Sequence, residues 1–114
     1  MDDRQTSWDA LLPYARVVVA GDSMSPTLLD GDQLLCRRVR PGIGVREGDV
    51  VVLERPDRPG LVLVKRVVRR TPLGWWVEGD NADASDDSRT FGSVADEYVV
   101  ARVLSRIWPR PRRL

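Results

Sequence analysis

Residues 61–79 read LVLVKRVVRRTPLGWWVEG: an alternating apolar run, a Thr-Pro-Leu-Gly reversal and a second apolar run. Val- and Trp-rich segments broken by Pro and Gly imply a strand, a tight turn and a returning strand. The same texture spreads outward on both sides. Strands are predicted at Val17–Ala20, Gln33–Val39, Asp49–Glu54, Leu61–Arg69, Trp75–Glu78 and Tyr98–Trp108, with turn chemistry at Leu29–Asp32, Arg40–Gly42, Arg55–Gly60, Thr71–Gly74 and Gly79–Asn81. This pattern predicts an all-β fold, a small barrel or sandwich of short, mostly antiparallel strands. Ser7 as an N-cap predicts a short helical turn before Pro13 disrupts it. The 114 residues fit a single domain, 1–114, with residues 1–15 as an N-terminal extension. Residues 106–114, with four Arg and two Pro, are expected to be a flexible basic tail.

The charges carry the first chemical information. Of the 18 basic residues 17 are Arg, the single Lys is Lys65, and there is no His. Without His there is no Ser-His-Asp triad, no Cys-His dyad and no His-ligated metal. The single Cys36 excludes an internal disulfide and a four-cysteine zinc site. A net charge of +1 gives no global field toward nucleic acid, and no metal or other cofactor is expected. No apolar stretch is long enough for a membrane anchor, and the N-terminus lacks a signal-peptide pattern, so a cytoplasmic location is expected.

Three segments hold the candidate chemistry. Gly21-Asp-Ser-Met-Ser-Pro-Thr-Leu28 follows a strand and places Ser23 at a strand-to-turn junction. There the hydroxyl can project while backbone N–H groups face an incoming carbonyl. Lys65 shares a strand face with Leu61, Leu63 and Val67. An ammonium on such a face is desolvated, and lowering its pKa by ~2 units costs roughly 3 kcal/mol. A neutral lysine amine accepts a proton from a serine hydroxyl, whereas Arg stays charged. The third segment is the long polar loop DNADASDDSRT, residues 80–90. Its Asp cluster fails the EF-hand pattern, since Ser88 stands at the sixth position counted from Asp83 and no Glu closes it. Short side-chain-to-backbone bonds suit the loop better, with Ser85 or Ser88 placed to bond the Lys65 amine and Asp87 to pair with Arg89. Gly42-Ile-Gly44 lacks the strand-then-helix setting of a nucleotide loop.

Taken in order, Gly21-x-Ser23-Met-x-Pro-Thr-Leu28, Val64-Lys65-Arg66-Val67 and Gly79-Asp-Asn-x5-Asp87-Ser-Arg-x-x-Gly-x-Val94 resemble the boxes of type I signal peptidases. These are Ser-Lys peptidases of the LexA and signal peptidase superfamily. The resemblance implies Ser23 as nucleophile, Lys65 as general base and Ser85 as the hydroxyl that orients the lysine. It further implies Asp87 with Arg89 as a structural ion pair and the Ser23 backbone N–H as the oxyanion donor. Ala20, Gly21, Met24, Leu28 and Val64 are expected to line the substrate pockets. The chain departs from the pattern in several places. Gly21 stands where some members have Ser, Ala82 where Arg or Pro is frequent, Asp22 puts a carboxylate beside the residue matching the nucleophile, and the residues before the Ser box are not expected to form the family's membrane anchor.

Among small unanchored members, the chain is most similar to the nickel-type superoxide dismutase maturation proteases. That likeness implies a soluble serine endopeptidase removing an N-terminal propeptide from a dismutase precursor, with a protein substrate and no nucleic acid or membrane partner. Two alternatives stand beside it: a LexA-like self-cleaving or regulatory domain, and a non-catalytic binding module on the same fold.

Overall fold

A computed structural model describes the backbone of residues 7–11 and both backbone and side chains of residues 13–114. Eight strands form in chain order: β1 (Ser7–Leu11), β2 (Tyr14–Val18), β3 (Gln33–Arg38), β4 (Val50–Glu54), β5 (Val62–Thr71), β6 (Gly74–Glu78), β7 (Val99–Trp108) and β8 (Arg112–Arg113). Among the described residues helix is confined to the short α1 (Ser88–Phe91) and two single 3-10 turns, Ala82–Ala84 and Asp96–Tyr98. All strand pairs are antiparallel, in the order β1-β2-β3-β7-β4-β5-β6, with β8 on the side of β7. The expected all-β, mostly antiparallel architecture is therefore present. Among the described residues no pairing joins β1 to β6, so the sheet is open rather than a closed barrel.

Alternation along the strands gives the sheet two apolar faces. One cluster gathers Ala15, Val17, Leu34, Cys36, Val52 and Val64, with Met24 and Leu28 plugged in from the Ser23 loop. The other gathers Val51, Leu53, Val67, Trp75, Val77 and Val94. β5 separates the two, and Lys65 lies on the second face beside Val51, its partner in register. At Gly74 (φ +142°) an added Cβ would fall 2.1 Å from the Val94 carbonyl, so only Gly lets β6 sit against residue 94.

Three sequence expectations are corrected. The helical turn expected over residues 7–15 is instead the hairpin β1–β2, in register from Ser7↔Val18 to Leu11↔Tyr14. Pro13 sits in its turn, where its carbonyl accepts the Arg38 N–H at 3.0 Å and no N–H is required of it. A substrate segment is expected to add as a strand beside Val17–Gly21 and the Leu61–Lys65 edge, but at Val17 and Val18 the first of these is already paired with β1. Finally, the basic tail is not frayed. β7 runs on past its pairing with β4, and the chain folds back as β8, with Ser105↔Arg113 and Arg106↔Arg112 opposite one another. β8 takes up backbone groups that β4 leaves unpaired.

Candidate active site

The Ser23 segment is fixed at both ends. Upstream, Val19 exchanges backbone bonds with Asp32 and Gly31, each 2.8 Å, and the Gly21 N–H donates to Asp30 Oδ1 at 2.8 Å. Gly21 takes φ +86°, which turns the chain sharply out of the strand direction. Downstream, Met24 and Leu28 are 1% and 0% exposed within the first core cluster. Ser23 itself is half-buried between these anchors, and its backbone N–H has no acceptor among the described residues. That free donor is what an oxyanion site requires. The Asp22 side chain is exposed.

Lys65 is 3% exposed. Burial pushes its amine down to about 8; Asp87 and Asp86 pull it upward, and Arg89 and Arg55 pull it down. Its ammonium donates to Ser85 Oγ at 3.1 Å. Ser85 Oγ in turn donates to Asp87 Oδ2 at 2.6 Å and accepts from the Gly79 N–H at 3.2 Å. The hydroxyl thus contacts the lysine without adding a charge of its own.

Asp87 is fully buried and holds the loop together. It accepts from Arg89 Nη2 (2.6 Å), Arg89 Nε (2.9 Å), the Gly79 N–H (2.9 Å) and the Arg89 N–H (3.1 Å), the last as N-cap of α1. Burial alone would raise its pKa. The hydrogen bonds from Arg89, Ser85 and the backbone outweigh that and hold the carboxyl well below the usual carboxylate range. The Asp87–Arg89 pairing expected from the sequence is present in this geometry.

The sequence did not single out the work of Gly79-Asp80-Asn81, which ties the Ser23 segment to β5. Asp80 accepts from Thr27 Oγ1 at 2.6 Å and from Arg66 Nε and Nη2 at 2.9 and 2.8 Å. It therefore bridges the Ser23 segment to the residue next to Lys65. The Asn81 N–H donates to the Ser23 carbonyl at 2.9 Å, and Asn81 Nδ2 donates to the Asp22 carbonyl at 3.1 Å. Gly79 is the crossing point: a Cβ there would lie 2.3 Å from Ser85 Oγ and 2.5 Å from the Ser23 carbonyl oxygen. Ser23, Ser85 and Lys65 are thus gathered at one place from three separate segments. No hydrogen bond joins Ser23 Oγ to Lys65 Nζ.

A second feature that sequence reading missed is Arg55, 5% exposed, which donates to Asp86 at 2.5 Å and to Asp57 at 2.5 Å and lies 5.2 Å from the Phe91 ring centre. The Arg55-Pro-Asp-Arg-Pro-Gly60 stretch reads only as a turn, and nothing in its spacing signals that a guanidinium folds inward beside the lysine. Of the expected pocket residues, Met24, Leu28 and Val64 are core side chains rather than open walls, since their burial completes the first apolar cluster. Ala20 is half-buried and Gly21 buried. Among the described residues no cluster of acidic or thiol side chains is arranged to hold a metal, and no helix is long and apolar enough to cross a membrane.

Residues 10–70 match the family model described as signal peptidase, peptidase S26. Subunit 1 of the mitochondrial inner membrane protease of Xenopus tropicalis is 35% identical, over 82% of this chain and 68% of its own length. An Arabidopsis thaliana protein, mitochondrial ATP-independent inner membrane protease subunit 1a, is 35% identical over 80% of the chain and 68% of its own length. Subunit 2 of the mitochondrial inner membrane protease of Saccharomyces cerevisiae is 30% identical over 82% and 68%. These relatives are named for an inner membrane of mitochondria, which overturns the cytoplasmic location expected from the sequence. They are also not named for the maturation of a nickel enzyme. The matched stretch takes in both Ser23 and Lys65, and the chain belongs to the signal peptidase family, peptidase S26.

Proposed function

We propose that the chain is a serine endopeptidase with a Ser23–Lys65 dyad that removes an N-terminal segment from a protein precursor. The observation that carries this reading is the buried Lys65 amine, held at 3.1 Å by the Ser85 hydroxyl in the loop that also grips the Ser23 carbonyl. A non-catalytic module has no use for a lysine whose burial destabilises the fold. The likeness to inner membrane protease subunits supports an inner-membrane setting for the same chemistry. It lends no support to a nickel dismutase precursor, so the substrate is stated here by its chemistry, as an extended precursor segment.

The first half of β5 offers a place for such a segment. Along β5, β6 pairs with residues 66–71, and among the described residues no strand pairs with the edge of Val62–Lys65 away from β4, which leaves it available to an added strand. With the scissile carbonyl over Ser23, the neutral Lys65 amine takes the hydroxyl proton as Oγ attacks the carbonyl carbon. The Ser23 N–H receives the oxyanion. Lys65 then gives its proton to the leaving amine as the C–N bond breaks. A water that loses its proton to Lys65 attacks the acyl carbon, the ester C–Oγ bond breaks, and Lys65 returns the proton to Ser23 Oγ. Ser23→Ala and Lys65→Met are each expected to abolish precursor cleavage in folded protein, and Lys65→Arg to be equally inactive. Cleavage by Lys65→Met would refute the scheme.

A further inference from the structure

The folded-back C-terminal strand builds a feature that this mechanism does not use. β8 closes one side of a groove of about 330 Å³ whose lining includes Thr27, Asp49, Arg66, Arg102, Arg112 and Arg113. Arg66 is already committed, to Asp80 and to the Gly48 carbonyl at 2.8 Å. Arg102, Arg112 and Arg113 have no acidic partner among the described residues. Asp49 is the acidic side chain in the groove, and it accepts the Arg46 N–H at 2.9 Å. The acidic side chain among the lining residues is thus outnumbered by three guanidiniums without an acidic partner.

The groove also adjoins the candidate site. Thr27 and Arg66 are the two ends of the Asp80 bridge. Thr27 lies four residues beyond Ser23, a span of at most about 14 Å between their Cα atoms. Arg66 directly follows Lys65. A chain extended over Ser23 reaches this distance within about four residues.

We propose that the groove is an accessory site for acidic side chains of the substrate, about three to six residues from the scissile bond. Carboxylates are the complement of its guanidiniums, and its position beside the candidate site favours a peptide strand over a broad polyanion. This proposal names the substrate class for the peptidase reading above and rests on it.

The test is fluorescence polarisation of a labelled hexaglutamate peptide and its Gln-for-Glu counterpart, using the full chain carrying Ser23→Ala so that no turnover is needed. The glutamate peptide is expected to bind, to weaken as salt is raised, and to lose about fivefold in affinity in Arg112→Ser/Arg113→Ser. Both positions are exposed, so this variant leaves the core untouched. Adding Arg102→Gln is expected to deepen the loss. Equal binding of the Gln peptide, unchanged affinity in the double variant, or tighter binding of an oligothymidylate or anionic vesicle through the same arginines would overturn it. Acidic-peptide binding by a chain whose wild type leaves precursors and serine probes untouched would support the groove and sink the peptidase reading alone.

Discussion

Lys65→Met isolates the energetic consequence of burying the amine. The folded value near 8 against an ordinary 10.5 corresponds to roughly 3 kcal/mol against the charged form. Methionine fills similar space and removes the charge, at the loss of one hydrogen bond to Ser85 worth about 1 kcal/mol. Near pH 7 the variant is therefore expected to be more stable than wild type by about 2 kcal/mol. The pH dependence has a definite sign. Below 8 the amine is charged in both folded and unfolded chains, and the whole penalty is felt. Between 8 and 10.5 the folded chain has shed its proton while the unfolded chain has not, so wild type gains stability as pH rises. Urea unfolding of both proteins near pH 7 and near pH 10 reads the difference, in which the advantage of the variant should vanish or reverse at the higher pH. A variant less stable than wild type at neutral pH, or a gap that ignores pH, would refute the reasoning.

Other perturbations follow from the same contacts. Gly79→Ala forces a methyl into the space between Ser85 Oγ and the Ser23 carbonyl; it should cost about 1–3 kcal/mol in a thermal melt and abolish precursor cleavage. Asp87→Asn should destabilise by about 2–3 kcal/mol at neutral pH, because a charged acceptor of several hydrogen bonds is lost. Asp87 has a folded pKa below its unfolded value of 3.8, so its contribution is complete above that value and is lost as pH falls beneath it. Acid titration of wild type should show that loss, and the Asn variant should lack it. Arg55→Met removes the partner of Asp86 and one of the charges that lower the Lys65 amine, so the pH profile of cleavage should move to higher pH, and adding Asp86→Asn should bring it back.

The strands were legible because apolar alternation and Gly/Pro turns are local signals, and residues 61–79 gave hairpin and lysine face together. Ser23, Lys65, Ser85 and the Asp87–Arg89 pair were legible as types in spaced boxes. The terminal strands were not. A short polar-apolar stretch before Pro13 reads equally as a helical turn, and only the open edge of β2 decides for a strand. Arg112 and Arg113 become a strand because the end of β7 has backbone groups to satisfy, a long-range fact that local composition hides. The Asp80 bridge and the inward-folded Arg55 were hidden for the same reason. Each joins segments distant in sequence, and the residue type alone reads as a solvated charge.

The central claim is that Ser23 is a nucleophile made reactive by Lys65. Its most direct measurement is intact-mass and peptide mapping of the protein after treatment with a penem or acylating serine probe. Cys36 is fully buried and its thiol is pushed up to about 12, so it should not compete for the reagent. One adduct on Ser23 is expected in wild type, absent from Lys65→Met and Lys65→Arg. An adduct that persists in Lys65→Met, or a wild-type protein that takes up none, would contradict the account.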